Sequence, residues 1–85
     1  MEFFTYILQS EKDGSYYIGS SENPSERLKK HNRKQVGYTA TKQPWKIVWT
    51  KSFKSKKEAI QMERVIKMKK SRSFIEVLIA ESLSG

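Results

Sequence analysis

An 85-residue chain with 17 lysines and arginines against nine aspartates and glutamates, and a net charge of +8, reads as one small basic domain spanning 1–85. The absence of cysteine excludes disulfide staples and zinc–thiolate centres. The start, Met1-Glu2-Phe3-Phe4, has neither a basic leader nor a long apolar run, and no stretch is apolar enough to cross a bilayer, so a cytoplasmic protein without a membrane partner is expected.

Residues 2–9, EFFTYILQ, are rich in aromatic and β-branched side chains and predict a strand with apolar groups on both faces, hence one covered on both. Glu11 to Gly14 predict a turn, and 15–19, SYYIG, the return strand of a hairpin. A four-residue loop pairs Ser10 with Ser15, Leu8 with Tyr17 and Tyr6 with Gly19. Side chains alternate along a strand, so Tyr6 and Tyr17 become diagonal neighbours on one face, about 7–8 Å apart. A loop one residue longer or shorter would put them on opposite faces. Gly19 opposite Tyr6 is expected to leave room above the phenol for a backbone or ligand.

Asn23-Pro24-Ser25-Glu26 predicts a helix start running to about Arg33, with Arg27 and His31 four apart on one face beside Leu28. Residues 35–44 read as a loop. Residues 45–53, WKIVWTKSF, alternate as a third strand, with Trp45 and Trp49 expected on one face in the core. Ser55 to Glu58 form a second capping pattern and open a helix to about Lys70 with Ala59, Met62 and Ile66 on its apolar stripe. Ser73 to Glu76 form a third, opening a last helix that carries Phe74, Val77, Leu78 and Ala80 or Glu81. The order β-β-α-β-α-α implies an α+β fold, a small three-stranded, mainly antiparallel sheet flanked by helices.

Chemistry-bearing residues stand out against this frame. Glu63 falls on the apolar stripe of its helix, where a carboxylate is costly unless it is paired, as with Arg27, Lys67 or Lys70, or bound to a metal. As a ligand its hard oxygens suit magnesium or manganese. Arg27 is able to fork onto a phosphate oxygen, and His31, the only histidine, is a natural proton acceptor near neutral pH. A phenol with an ordinary pKa is only about a thousandth ionised at pH 7, so on intrinsic chemistry His31 is a better base than Tyr6 or Tyr17. Lys29, Lys30, Arg33, Lys34 and Lys42 extend the positive surface, and Tyr38 stands among them as a ring able to stack on a base or hold a phosphate. Asp13 is the only aspartate, which argues against the carboxylate cluster of a two-metal nuclease.

Taken in order, these residues resemble the GIY-YIG nuclease family. The first motif is present in altered form as Thr5-Tyr6-Ile7, and the second is intact as Tyr17-Ile18-Gly19. The helix with Arg27 and His31 and the carboxylate Glu63 follow at matching positions. Gly37-Tyr38-Thr39 and Pro44-Trp45 resemble the small stand-alone bacterial single-domain subgroup, similar to the N-terminal nuclease domain of an excinuclease. The first motif lacks its glycine, and a late asparagine of some members is absent, since the only asparagines are Asn23 and Asn32. The resemblance implies a metal-dependent DNA endonuclease with one divalent ion (magnesium or manganese) on Glu63, phosphate held by Arg27, and Tyr6 assisting attack by water. Tyr17 and His31 would complete the proton relay. No added targeting domain is expected, so specificity is expected from DNA structure, as in repair or recombination, from a protein partner, or not at all. A binding module of the same fold with little catalysis, or a partner-dependent adaptor, is the alternative.

Overall fold

The computed structural model describes residues 2–33 and 36–84. Three strands form one antiparallel sheet: β1 (Phe3–Ser10) lies between β2 (Tyr16–Ser21) and β3 (Trp45–Phe53), in the order β2-β1-β3. The hairpin has the expected register, Leu8 opposite Tyr17 and Tyr6 opposite Gly19, with the Ser10 amide donating to the Ser15 carbonyl at 2.8 Å. Gly14 closes the turn at φ 80°, a left-handed conformation that a residue without Cβ adopts freely.

Both faces of the central strand are covered. Even positions of β1, Tyr6 and Leu8, pack with Trp45 against Leu28 of α1 (Pro24–Arg33). On the other face Ile7 packs with Trp49, Ile66 of α3 (Lys56–Lys69) and Ile75 of α4 (Arg72–Ser84). Each such fully buried aliphatic side chain contributes roughly 1.5–3 kcal/mol. Thr5, fully buried, donates its hydroxyl to the Ala59 carbonyl at 2.7 Å and ties α3 to β1.

Three expectations are corrected. Trp45 and Trp49 are both in the core but lie on opposite faces. The pairing with β1 slips between Ile7, opposite Trp49, and Leu8, opposite Ile47, so Val48 is an extra residue and the alternation reverses there. The 35–44 segment contains a one-turn helix, α2 (Tyr38–Thr41), making the order β-β-α-α-β-α-α. The last helix is capped two residues before the expected position and begins at Arg72. Ser71 caps it by accepting from the Phe74 amide at 3.2 Å, and its inner face is Phe74, Ile75, Leu78 and Ile79, leaving Val77 exposed.

The first two helix starts form as expected. Asn23 Oδ1 accepts from the Glu26 amide at 3.2 Å, and Ser55 Oγ from the Glu58 amide at 3.2 Å. No helix among the described residues is long and apolar enough to cross a membrane.

Candidate active site

The site is built around β2, the edge strand that carries Tyr17-Ile18-Gly19. Its odd residues face α1 and its even residues face α3, so the YIG segment presents groups to both sides of the sheet. On the α1 side, Tyr6 and Tyr17 pack in one cluster, and His31 is buried with its ring 4.5 Å from that of Tyr17. Trp45 stands behind both, 6.2 Å from Tyr17 and 6.5 Å from His31.

Asn32 fixes this arrangement. Its side chain accepts from the Trp45 amide at 2.6 Å and donates to the Trp45 carbonyl at 3.1 Å, clamping the end of α1 to the start of β3. The Gln43 side chain donates to the His31 carbonyl, and the Trp45 indole donates to the Thr39 carbonyl at 2.8 Å. Asn32 and Gln43 went unnoticed in the sequence because nothing local marks a residue that bonds a backbone a dozen positions away.

On the α3 side, Glu63 reaches the same edge. Ser20 Oγ donates to Glu63 Oε1 at 2.7 Å, and Lys67 Nζ pairs with Oε2 at 2.7 Å. Of the pairings open to Glu63, the structure therefore selects Lys67. Ser20 was missed too, although its place beside Gly19 and the alternation of the strand put it on the face of Ile18, towards α3.

The two sides meet where Gly19 has no side chain. A Cβ there would lie 2.5 Å from the Tyr6 hydroxyl oxygen and 2.7 Å from Cζ. The space expected to admit a ligand is thus filled by the Tyr6 phenol itself, which lies over Gly19 towards the edge. Tyr6 feels charges from both sides. Burial pushes its hydroxyl up to about 12, Tyr17 and Glu63 act in the same direction, and the Arg27 guanidinium opposes them.

A raised pKa means that the fold favours the neutral phenol. The associated stability is whole below the ordinary value of 10 and is lost as pH rises through about 12. Denaturant unfolding of the wild type is expected to weaken across that interval, and Tyr6→Phe to remove much of the slope. Equal slopes in both proteins would place the titrating group elsewhere.

The basic candidates are spread over α1 and α2. Lys29, Lys30 and Arg33 are exposed; Lys29 pairs with Glu26 at 3.5 Å, and Arg33 Nε donates to the Lys29 carbonyl at 3.3 Å. Tyr38 is exposed, with Lys42 Nζ 5.6 Å from its ring centroid. Lys42 also pairs with Asp13, whose carboxyl is held well below the usual range by that bond and by the Ser15 amide. Lys34 lies outside the described residues.

No group of three or more histidine, cysteine, aspartate or glutamate side chains among the described residues is placed to hold a metal. One carboxylate is nevertheless enough for an ion whose other positions go to water and phosphate. Glu63 meets that requirement: it is at the protein edge, partly exposed, and its two oxygens carry about four lone-pair directions, of which Ser20 and Lys67 take two.

Comparison with known proteins identifies the family and the fold. The model of the GIY-YIG catalytic domain matches residues 2–75. A UPF0213 protein of Streptococcus pneumoniae serotype 4 is 40% identical over 68 residues, 79% of this chain and 68% of the relative. The UPF0213 protein BH0048 of Halalkalibacterium halodurans is also 40% identical over 68 residues, 79% of this chain and 71% of its own. The solution NMR structure of BH0048 from Bacillus halodurans superposes with a TM-score of 0.59 at 37% identity, covering 94% of this chain and 84% of that one. A match that runs through all three strands and into the fourth helix leaves no part of the candidate site outside it, and the chain belongs to the GIY-YIG catalytic domain family.

Proposed function

We propose that this protein is a metal-dependent DNA endonuclease that hydrolyses phosphodiester bonds. The family is one of nucleases, and the observation that carries the reading is the meeting of two chemistries at the edge of β2. Phenols, an imidazole and the Arg27 charge lie on one side, a carboxylate lies on the other, and Tyr6 senses both charges.

In this reading Glu63 would hold a single magnesium or manganese ion, a hard cation that accepts water and phosphate oxygens beside one carboxylate. The bound ion would make its water more acidic and offset charge on the phosphate. Arg27, exposed on α1 and felt by Tyr6, grips a non-bridging oxygen. Tyr6, with its hydroxyl pushed up to about 12, keeps its proton at neutral pH and orients the attacking water through a hydrogen bond. Tyr17 and His31, ring against ring at 4.5 Å, receive the proton that the water gives up. Lys29, Lys30 and Arg33 hold the flanking backbone. Attack by water leaves a 5′-phosphate and a 3′-hydroxyl.

One observation favours a second reading, a nucleic-acid-binding module with little catalysis: the Lys67 ammonium already occupies Glu63. Labelled branched, flapped, nicked and plain duplex DNA, incubated with magnesium or manganese, separates the two. The nuclease cuts at least one substrate and leaves a 5′-phosphate. Salt-sensitive binding with no cut in any of them would overturn it. A preference for branched or flapped DNA would place the activity in repair or recombination.

A further inference from the structure

A cleft of about 390 Å³ opens where the start of β2 meets the turn from α3 into α4. Ile66 and Ile75 form its floor, and its walls carry Lys67, Lys70 and Arg72 together with the rings of Tyr16 and Tyr38. No carboxylate of the described residues lines it. We propose that this cleft is a nucleotide subsite, taking one base and its adjoining phosphate from an unpaired DNA strand beside the scissile bond. What the strand does there rests on the endonuclease reading; the binding chemistry does not.

The cleft falls within the roughly 300–1,000 Å³ of small-ligand sites. Its make-up is that of single-strand recognition, aromatic faces for bases beside cations for the backbone. A base reaches such faces only when it has left the helical stack, which selects an unpaired strand over a duplex.

Arg72 is already set for this role. Its guanidinium lies 4.7 Å from the centroid of the Tyr16 ring and donates to the Gly14 carbonyl at 3.2 Å. A guanidinium carries five N–H donors in a fixed fork, so the bond to Gly14 positions it without exhausting it.

Lys70 gives independent support. It follows the last residue of α3 with φ 47°, left-handed backbone at a helix end where glycine is the usual occupant. A lysine held there carries conformational strain and sets a cation at the cleft wall. Lys67 joins the cleft to the active site, since the same ammonium lies 2.7 Å from Glu63 Oε2. A phosphate in the cleft competes for that ammonium and releases Glu63.

The test is binding of fluorescein-labelled hexathymidylate to the full chain in EDTA, read by anisotropy across a salt series. Wild type binds, and its affinity falls with salt. Lys70→Gly weakens binding and flattens the salt slope by about 0.7, one phosphate contact on a single strand. The same variant melts at higher temperature, because glycine relieves the left-handed backbone. Tyr38→Ala weakens binding roughly fivefold or more, the loss of one stacked base. Hexathymidylate bound equally by wild type and both variants, or not bound by wild type at all, would remove the subsite. Duplex cleavage by wild type would then still leave the nuclease reading standing. Binding that responds to both variants, without cleavage of any DNA, would keep the subsite and remove the nuclease.

Discussion

Glu63→Ala is expected to lower DNA cleavage by about 10²–10³-fold or more, the scale of losing one charge-stabilising group in an active site, while DNA binding stays near wild type. The Glu63 carboxylate contributes little to the fold. Glu63 is partly exposed, and its partner Lys67 is more than half exposed, so their ion pair adds little to stability. The Ser20 bond contributes about 1 kcal/mol. The variant therefore folds, and an unchanged circular dichroism spectrum with a small shift in melting temperature separates lost chemistry from lost structure. Binding is expected to survive because the exposed lysines and arginines of α1 are untouched and net positive charge rises.

Ser20→Ala extends the test. It leaves the carboxylate but frees one oxygen from its orienting donor, a change that commonly costs about 10–100-fold in metal affinity or activity. A graded series, with Ser20→Ala between wild type and Glu63→Ala and recovering at high manganese, is the pattern of a metal ligand and its support. Full cleavage by Glu63→Ala would remove the one-ion mechanism, since the described residues offer no cluster to replace it.

The parts of this site legible in the sequence are those fixed by short-range geometry. Four residues between Ser10 and Ser15, with Gly14 free to take positive φ, determine the hairpin register, and the register puts Tyr6 and Tyr17 on one face. Two of the capping patterns place Arg27, His31 and Glu63 on their helices for the same local reason. What could not be read depends on contacts between distant segments. WKIVWTKSF gives no sign of the extra residue at Val48, and the inserted residue sends Trp45 to support Tyr17 and His31 while Trp49 goes to the opposite core. The docking of α3 on β2, which gives Glu63 its partner Ser20, follows from packing of Ile66 and Ala59 rather than from any motif. The false capping pattern at Ser73 competed with Ser71, and tertiary packing of Ile75 decided between them.

Gly19 is the position where one added methyl group is expected to do most harm. Its backbone is not the reason, since the left-handed glycines among the described residues are Gly14 and Gly37. The reason is space: the Cβ of Gly19→Ala would lie 2.5 Å from Tyr6 Oη, 2.7 Å from Cζ and 3.2 Å from Cε1. A surface phenol would swing aside, but this ring is 2% exposed and packed with Leu8 and Trp45. Either the strands separate locally or the ring leaves the cluster, and overpacking of this kind costs about 1–3 kcal/mol. Both responses also move the hydroxyl proposed to orient the attacking water, so under that reading cleavage is expected to fall together with stability. Tyr6→Leu tells steric from other causes. It removes the clashing atoms at its own cost in buried area, and once it is made, Gly19→Ala loses most of its effect. Denaturant unfolding of the two single variants and the double variant should give a coupling of about 0.5–3 kcal/mol, with the double variant more stable than the sum of the two losses allows. Additive losses would mean that the Tyr6 ring does not lie over Gly19, and that the phenol reaches the edge of β2 by some other path.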